Sequence, residues 1–222
     1  MELQVIEGIT YKVLPYLESN RLVYMYTSFG KLTLHARGAQ KMTSDLRIAS
    51  QYFNFIQADV DAKEGLIPVS KLKILNDFQN IKVSFDIMTY VAFMLEVIDK
   101  CIDSNDPHKL IFQELLEVFQ SDDIRQQICR FMIRLFKHIG YDIPLKADGR
   151  EVTGFHIAQA TLTYQGDNLL SDISMDTLIL LVQLKYTNYD TILKISSLQY
   201  QELKNFFIAY IEYHVHVKIK NR

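Results

Sequence analysis

The stretch Arg21-Leu-Val-Tyr-Met-Tyr-Thr27, Ser28-Phe29-Gly30, Lys31-Leu-Thr-Leu-His-Ala36 decides the first half of the fold. Its two arms are rich in β-branched and aromatic residues, and the second alternates with period two, the signature of a half-buried strand. The three residues between them make a turn and read as a hairpin connection. Upstream, Gln4–Val13 has the same composition and runs to Pro15. Downstream, Gln51–Val60 reads as a fourth strand, and Lys63-Glu64-Gly65 turns the chain into a fifth over Ile67–Leu75. Five strands joined by short turns suit a small closed Greek-key barrel, of which the OB fold is the commonest of this size.

After Asn76 the period changes from two to between three and four. Val83–Ile98 is apolar nearly all round and predicts a central helix. Pro107 opens a second helix over His108–Phe119, and Asp122 and Asp123 stand where acids favour the start of a third, ending at Gly140. Ser174 caps a helix through Tyr186, and Ser196-x-x-Gln199 is a capping-box pattern opening a last helix to about Val217. The polar stretch 145–171 reads as a loop with a hairpin at Phe155–Ala158 and Thr161–Tyr164. The expected architecture is α+β: an N-terminal five-stranded OB-fold β-barrel over residues 1–78, then an α-helical C-terminal domain over 79–222.

The 222 residues carry 49% hydrophobic and 23% charged side chains, an ordinary globular balance. The acidic start and the lack of a long apolar run predict a cytoplasmic protein with no membrane span. Cys101 and Cys129 are far apart and in no C-x-x-C pair, which predicts buried thiols rather than a disulfide or metal framework. The net charge of −2 is unevenly spread. Between Arg21 and Arg47, five cations (Arg21, Lys31, Arg37, Lys41, Arg47) face one anion, Asp45. The C-terminus adds Lys218, Lys220 and Arg222, whereas residues 79–213 are acidic. No P-loop, G-x-G-x-x-G or G-x-S-x-G motif occurs. Asp59-x-Asp61 without a supporting acid cluster is a poor nuclease site, and His214 and His216, two apart on a helix end, diverge too far for a metal pair.

Several segments resemble the RecO family. Gly8-Ile9 and Pro15-Tyr16-x-Glu18-Ser19-x-Arg21-Leu22-Val23 look like its opening strands. Phe29-Gly30-Lys31-Leu32 with Ala36-Arg37-Gly38-Ala39 resembles its "GKL…ARGA" hairpin, and Gln51-Tyr52-Phe53 its "QPF" strand. Arg130-Phe131 through His138-x-Gly140-Tyr141 resembles its "RF…GY" helix end, and Tyr210-x-x-Tyr213-His214 with Lys218–Arg222 its "Y…H…PLKSR" ending. Many relatives carry four cysteines in a zinc module after the "GY" helix. Here the corresponding stretch, Lys146–Gly154, has none, so no zinc or other cofactor is expected.

The resemblance implies a non-enzymatic DNA repair and recombination mediator of the bacterial, nucleoid-associated cytoplasm. It would bind single- and double-stranded DNA, promote annealing and cooperate with RecR and single-strand-binding protein (SSB) to load recombinase. The DNA-contact candidates are then Arg21, Lys31, Arg37, Lys41 and Arg47, with Lys218, Lys220 and Arg222, and with Phe29 as a stacking ring. By period two Tyr24 and Tyr26 share one face and are read as barrel core. For the acidic, apolar-ended SSB tail, the helix after Asp123 offers Arg130 and Arg134, four apart on one face, with Arg125 and Phe131 alongside. An adaptor that binds proteins and has only marginal DNA affinity is the alternative; salt-dependent DNA binding separates the two.

Overall fold

Alternation builds the N-terminal sheet, and the computed structural model, which describes residues 3–61, 65–188 and 191–221, shows how it closes. The strands are β1 (Leu3–Tyr16), β2 (Asn20–Thr27), β3 (Gly30–Ala36), β4 (Phe55–Asp61) and β5 (Leu66–Asn76). They form a closed barrel in the order β1-β2-β3-β5-β4, with β3 and β5 parallel and the other pairings antiparallel. The bore is filled by small and branched side chains, among them Val23, Met25, Leu34, Ala36, Ile56, Ala58, Val60, Ile67 and Val69. At the β2–β3 turn Gly30 takes φ 113, a backbone conformation that a side chain would strain.

The fourth strand starts later than its sequence suggests. Leu46–Ala49 forms a short helix, α1, and 51–53 is a turn with Phe53 at φ 63, so β4 begins at Phe55. Asn54 explains the arrest. It is buried, and its amide donates to Ile48 O at 2.9 Å and Ala49 O at 3.2 Å, holding the chain against the end of α1.

The helices are α2 (Gln79–Lys82), α3 (Phe85–Cys101), α4 (His108–Gln120), α5 (Ile124–His138), α6 (Met175–Tyr186) and α7 (Ser197–His214); the hairpin β6 (Val152–His156) and β7 (Thr161–Tyr164) lies between α5 and α6. Local chemistry sets their starts. Asp123 accepts from Gln126 N, Ser174 from Thr177 N, and Ser196 and Gln199 form the full capping box.

The chain divides into two compact units, residues 1–88 with 107–120 and residues 89–106 with 121–222. In the first, α4 packs on the outside of the barrel. Phe112 lies 6.3 Å from the Tyr26 ring and 6.2 Å from Phe55, and Phe119 lies 4.9 Å from Phe78. In the second, Phe136, Phe206, Phe207 and Tyr210 form a ring-packed core with Phe155 of the hairpin. At the hairpin, a Cβ on Gly154 would lie 2.0 Å from Ser171 Oγ, so only glycine lets that segment close. Among the described residues no helix is long and apolar enough to cross a membrane.

Candidate nucleic-acid interface

Beyond β3 the chain enters a loop that is sewn to the β1–β2 turn. Gly38 N donates to Asn20 Oδ1 at 2.9 Å, Gln40 N to Ser19 O at 2.8 Å, and Gln40 Nε2 to Asn20 O at 2.7 Å. This fixes the loop as one end of the barrel, and Arg37 and Lys41 stand exposed on it. Arg21 and Arg47 belong to the same end but are used differently. The Arg21 guanidinium donates to Arg47 O at 2.9 Å and Ser50 Oγ at 3.0 Å, closing the last turn of α1 against β2. Arg47 is half-buried and its guanidinium meets the Met42 sulfur.

Phe29 and Lys31 lie at the opposite end. The β2–β3 ladder runs from Arg21↔Ala36 to Thr27↔Gly30, a run of about 20 Å at the usual rise per residue. Phe29, 82% exposed, projects from the turn. The barrel face between the two ends carries a row across three strands, since Lys12 pairs with Tyr24 and Tyr24 with Thr33. The Lys12 ammonium stands 4.9 Å from the Tyr24 ring centre, and the Tyr11 ring lies 6.2 Å from it. A run of about 20 Å matches roughly six phosphates of one strand at its spacing in a duplex.

Tyr24 and Tyr26 share a face as period two requires, but that face is the outside of the barrel, not its core. Val23 and Met25 fill the bore instead. Both faces of β2 are apolar, so alternation alone cannot orient it; the narrow bore takes the smaller side chains. Tyr26 is buried because α4 covers it, with its hydroxyl 3.1 Å from His108 Nδ1. Tyr24 stays half-exposed. Lys12, Lys71 and Lys73 are further outward cations that the charge count around the hairpin did not single out. For Lys71 and Lys73 the signal is present, because they alternate with the inward Leu72 and Ile74.

In the second unit the C-terminal segment is tied down. Lys220 N and Asn221 N each donate to Glu96 at 2.8 Å, Lys100 Nζ donates to Lys218 O, and Ile219 is buried. Burial pushes the Glu96 carboxyl up, but the bonds from Lys100, Asn221 and Lys220 outweigh it and hold the pKa below the usual value. Lys218 and Lys220 side chains are exposed; Arg222 lies outside the described residues. His214 reaches Ile157 O at 2.7 Å, joining α7 to the hairpin region.

The cations of α5 separate into two surroundings. Arg125 lies 5.5 Å from the Tyr90 ring and bonds Ser197 Oγ at 3.5 Å, away from the other two. Phe131 is in the core. Arg134 lines a groove of about 430 Å³ with Ile133, Lys137, Asp142, Leu184, Lys185 and Tyr186, and Lys185 Nζ is bonded to Asp142 at 2.7 Å and to Ile143 O. Arg130, expected on the rim, forms its floor and is 3% exposed. Its guanidinium donates to Leu184 O, Thr187 O, Thr187 Oγ1, Asn188 O and Thr191 O at 3.0–3.4 Å. It therefore ties the Leu184 carbonyl in the last turn of α6 to the segment that follows the helix. Arg130, Arg134 and Lys137 follow an i, i+4, i+7 stripe, which is the signal for Lys137; nothing local in the sequence brings Lys185 and Tyr186 to it.

The polar stretch 145–171 is braced by a charged cluster. Arg150 bonds Asp148 at 2.8 Å and Asp167 at 3.3 Å and lies 3.9 Å over the Tyr164 ring. Among the described residues no group of three or more His, Cys, Asp or Glu could hold a metal ion. The side chain of Asp61, half of the Asp59-x-Asp61 pair, lies outside the described residues. Cys129 is buried, and desolvation first, then Asp123, pushes its thiol pKa up, which removes it as a nucleophile at neutral pH. Cys101 is half-buried rather than enclosed.

Both halves of the chain match known family models. Residues 1–78 match the family described as Recombination protein O N terminal, and residues 83–222 the one described as Recombination protein O C terminal. The chain belongs to the RecO family. It is 28% identical over 144 residues to a DNA repair protein RecO of Oceanobacillus iheyensis, covering 63% of this chain and 56% of that one. It is 27% identical over 139 residues to the DNA repair protein RecO of Exiguobacterium sibiricum, covering 60% and 56%. The Listeria welshimeri protein of that name is 27% identical over 118 residues, covering 53% and 46%. The chain thus spans about half the length of the curated RecO relatives it matches. The junction between the two family matches, 79–82, coincides with α2.

Proposed function

We propose that this chain is a DNA repair and recombination mediator that works by binding and annealing DNA, without a chemical step of its own. The observation that carries the reading is the match of both RecO-family halves to a chain whose first half is a closed five-stranded barrel. We assign that barrel to the OB fold, whose strand face and loops commonly hold single strands. The track would run from Phe29 and Lys31, across Lys12 and Tyr24, to Arg37 and Lys41, with Arg21 and Arg47 shaping the loop end. Lys218, Lys220 and Arg222 would add phosphate contacts from the C-terminal segment. Annealing needs no catalyst group: cations screen two polyanions, and base pairing drives the product.

In the same reading the groove of Arg134, Lys137, Lys185 and Tyr186 takes the acidic, apolar-ended tail of SSB. Arg134 and Lys137 meet its carboxylates, Lys185 being paired with Asp142, and Ile133 and Leu184 meet its terminal side chain. RecR would be the further partner in loading recombinase, in the bacterial cytoplasm at the nucleoid. The adaptor alternative draws support from Arg21 and Arg47, whose internal bonds reduce the cations left for phosphate.

The test is binding of labelled single strands at several salt concentrations, with Arg37→Glu combined with Lys41→Glu. The folded double variant should bind more weakly, and its log–log salt slope should shrink by about 1.4 from two lost phosphate contacts on a single strand. Unchanged affinity and slope would refute the barrel assignment. Salt-independent, marginal binding by the unaltered chain would favour the adaptor.

A further inference from the structure

The loop end of the barrel displays apolar side chains that phosphate binding does not use. Leu17 is 72% exposed and Met42 is 80% exposed. They sit on the two loops joined by the bonds from Gly38 and Gln40 to Asn20 and Ser19, so neither loop moves independently of the other. Leu17 is held at φ 52, a left-handed conformation that side chains rarely adopt. The turn therefore presents this leucine outward from a strained backbone rather than folding it back. Arg37 and Lys41, both exposed, lie on the same loop as Met42.

Single exposed apolar residues need no explanation, but this pair stands on a braced protrusion with cations beside it. Nucleic-acid-binding proteins use that combination when leucine or methionine enters a base step while nearby cations hold the backbone. We propose that Leu17 and Met42 form an apolar wedge that enters the base stack of DNA held by Arg37 and Lys41. The inference rests on the DNA-binding reading above and adds the group that would open stacked bases. Charge complementarity selects DNA over an apolar protein surface, because an apolar partner would have to desolvate Arg37 and Lys41 without neutralising them.

The experiment places 2-aminopurine at a single-strand–duplex junction and compares the unaltered chain with Leu17→Gly combined with Met42→Ser. Glycine suits φ 52, and serine at Met42, 80% exposed, gives up only the contact of its sulfur with the Arg47 guanidinium, so the double variant should fold; far-UV circular dichroism checks it. The unaltered chain should raise 2-aminopurine fluorescence by roughly twofold or more as the base unstacks. The variant should lose that rise while its affinity stays within about threefold, since its phosphate contacts remain. Binding without a rise, or a rise that the variant keeps, overturns the wedge and leaves DNA binding standing. Failure of the unaltered chain to bind DNA at low salt overturns both readings together.

Discussion

Replacing Arg130 with methionine separates a structural arginine from a ligand-binding one. Methionine keeps most of the aliphatic stem and its packing, so the change removes the guanidinium alone. What is left behind are acceptors at the end of α6 and in the segment after it: Leu184 O, Thr187 O and Oγ1, Asn188 O and Thr191 O, all now bonded at 3.0–3.4 Å. Bonds from a charged donor contribute about 1.5–3 kcal/mol each in isolation, but they share one group and are not additive. The groove is open, so water reaches some of the orphaned carbonyls. A loss of about 3 kcal/mol is expected, a large part of a stability usually near 5–15 kcal/mol. For a chain of this length that is a fall in Tm of roughly 6–12 °C. Urea unfolding and thermal melts followed by circular dichroism read it directly. Arg134→Met, on the same stripe but half-exposed, is the control and should shift stability by less than about 1 kcal/mol. Arg130→Lys should recover only part of the loss, because one ammonium cannot reach carbonyls spread across a planar fork. If Arg130→Met is as stable as Arg134→Met yet abolishes binding of an acidic tail peptide, the structural role is refuted.

Three other outcomes follow from particular residues. Phe29→Ala should weaken single-strand binding by about 1–3 kcal/mol while leaving the salt slope unchanged, since stacking and not charge is removed; titrations at two salt concentrations check it. Gly154→Ala should destabilise the chain by about 1–3 kcal/mol in urea, because the new methyl meets Ser171. Glu96 has a folded pKa held below its unfolded value, so its contribution is present above the ordinary carboxylate range and lost as pH falls through the depressed folded value. The stability gap between the unaltered chain and Glu96→Gln should accordingly shrink on acidification, and denaturant unfolding across that range would show it.

Features set by a few adjacent residues were legible without the fold. Ser174 and Ser196-x-x-Gln199 mark helix starts because a cap is a bond within one turn. The β2–β3 hairpin was legible because Gly30 and period-two alternation on either side are enough to define it. Two errors have the same origin. Gln51–Asn54 has strand composition, but the end of α1 recruits Asn54 and bends the chain before Phe55. Helix α1, of four residues, is too short to show a helical period.

The sequence by itself therefore determined the kinds of element, their order, the family and the basic character of the β2–β3 region, since each depends on local propensity or on charge count. Only the tertiary structure decided which way β2 faces, because with both faces apolar the choice between bore and outer surface depends on the width of the closed barrel and on α4 covering Tyr26. It likewise decided what each arginine does. A guanidinium's role is set by the acceptors brought near it: Arg130 meets the end of α6, Arg21 meets the end of α1, and Arg37 stands exposed. Those acceptors come from segments 26 to 61 residues away in the chain, a separation that no window of sequence spans.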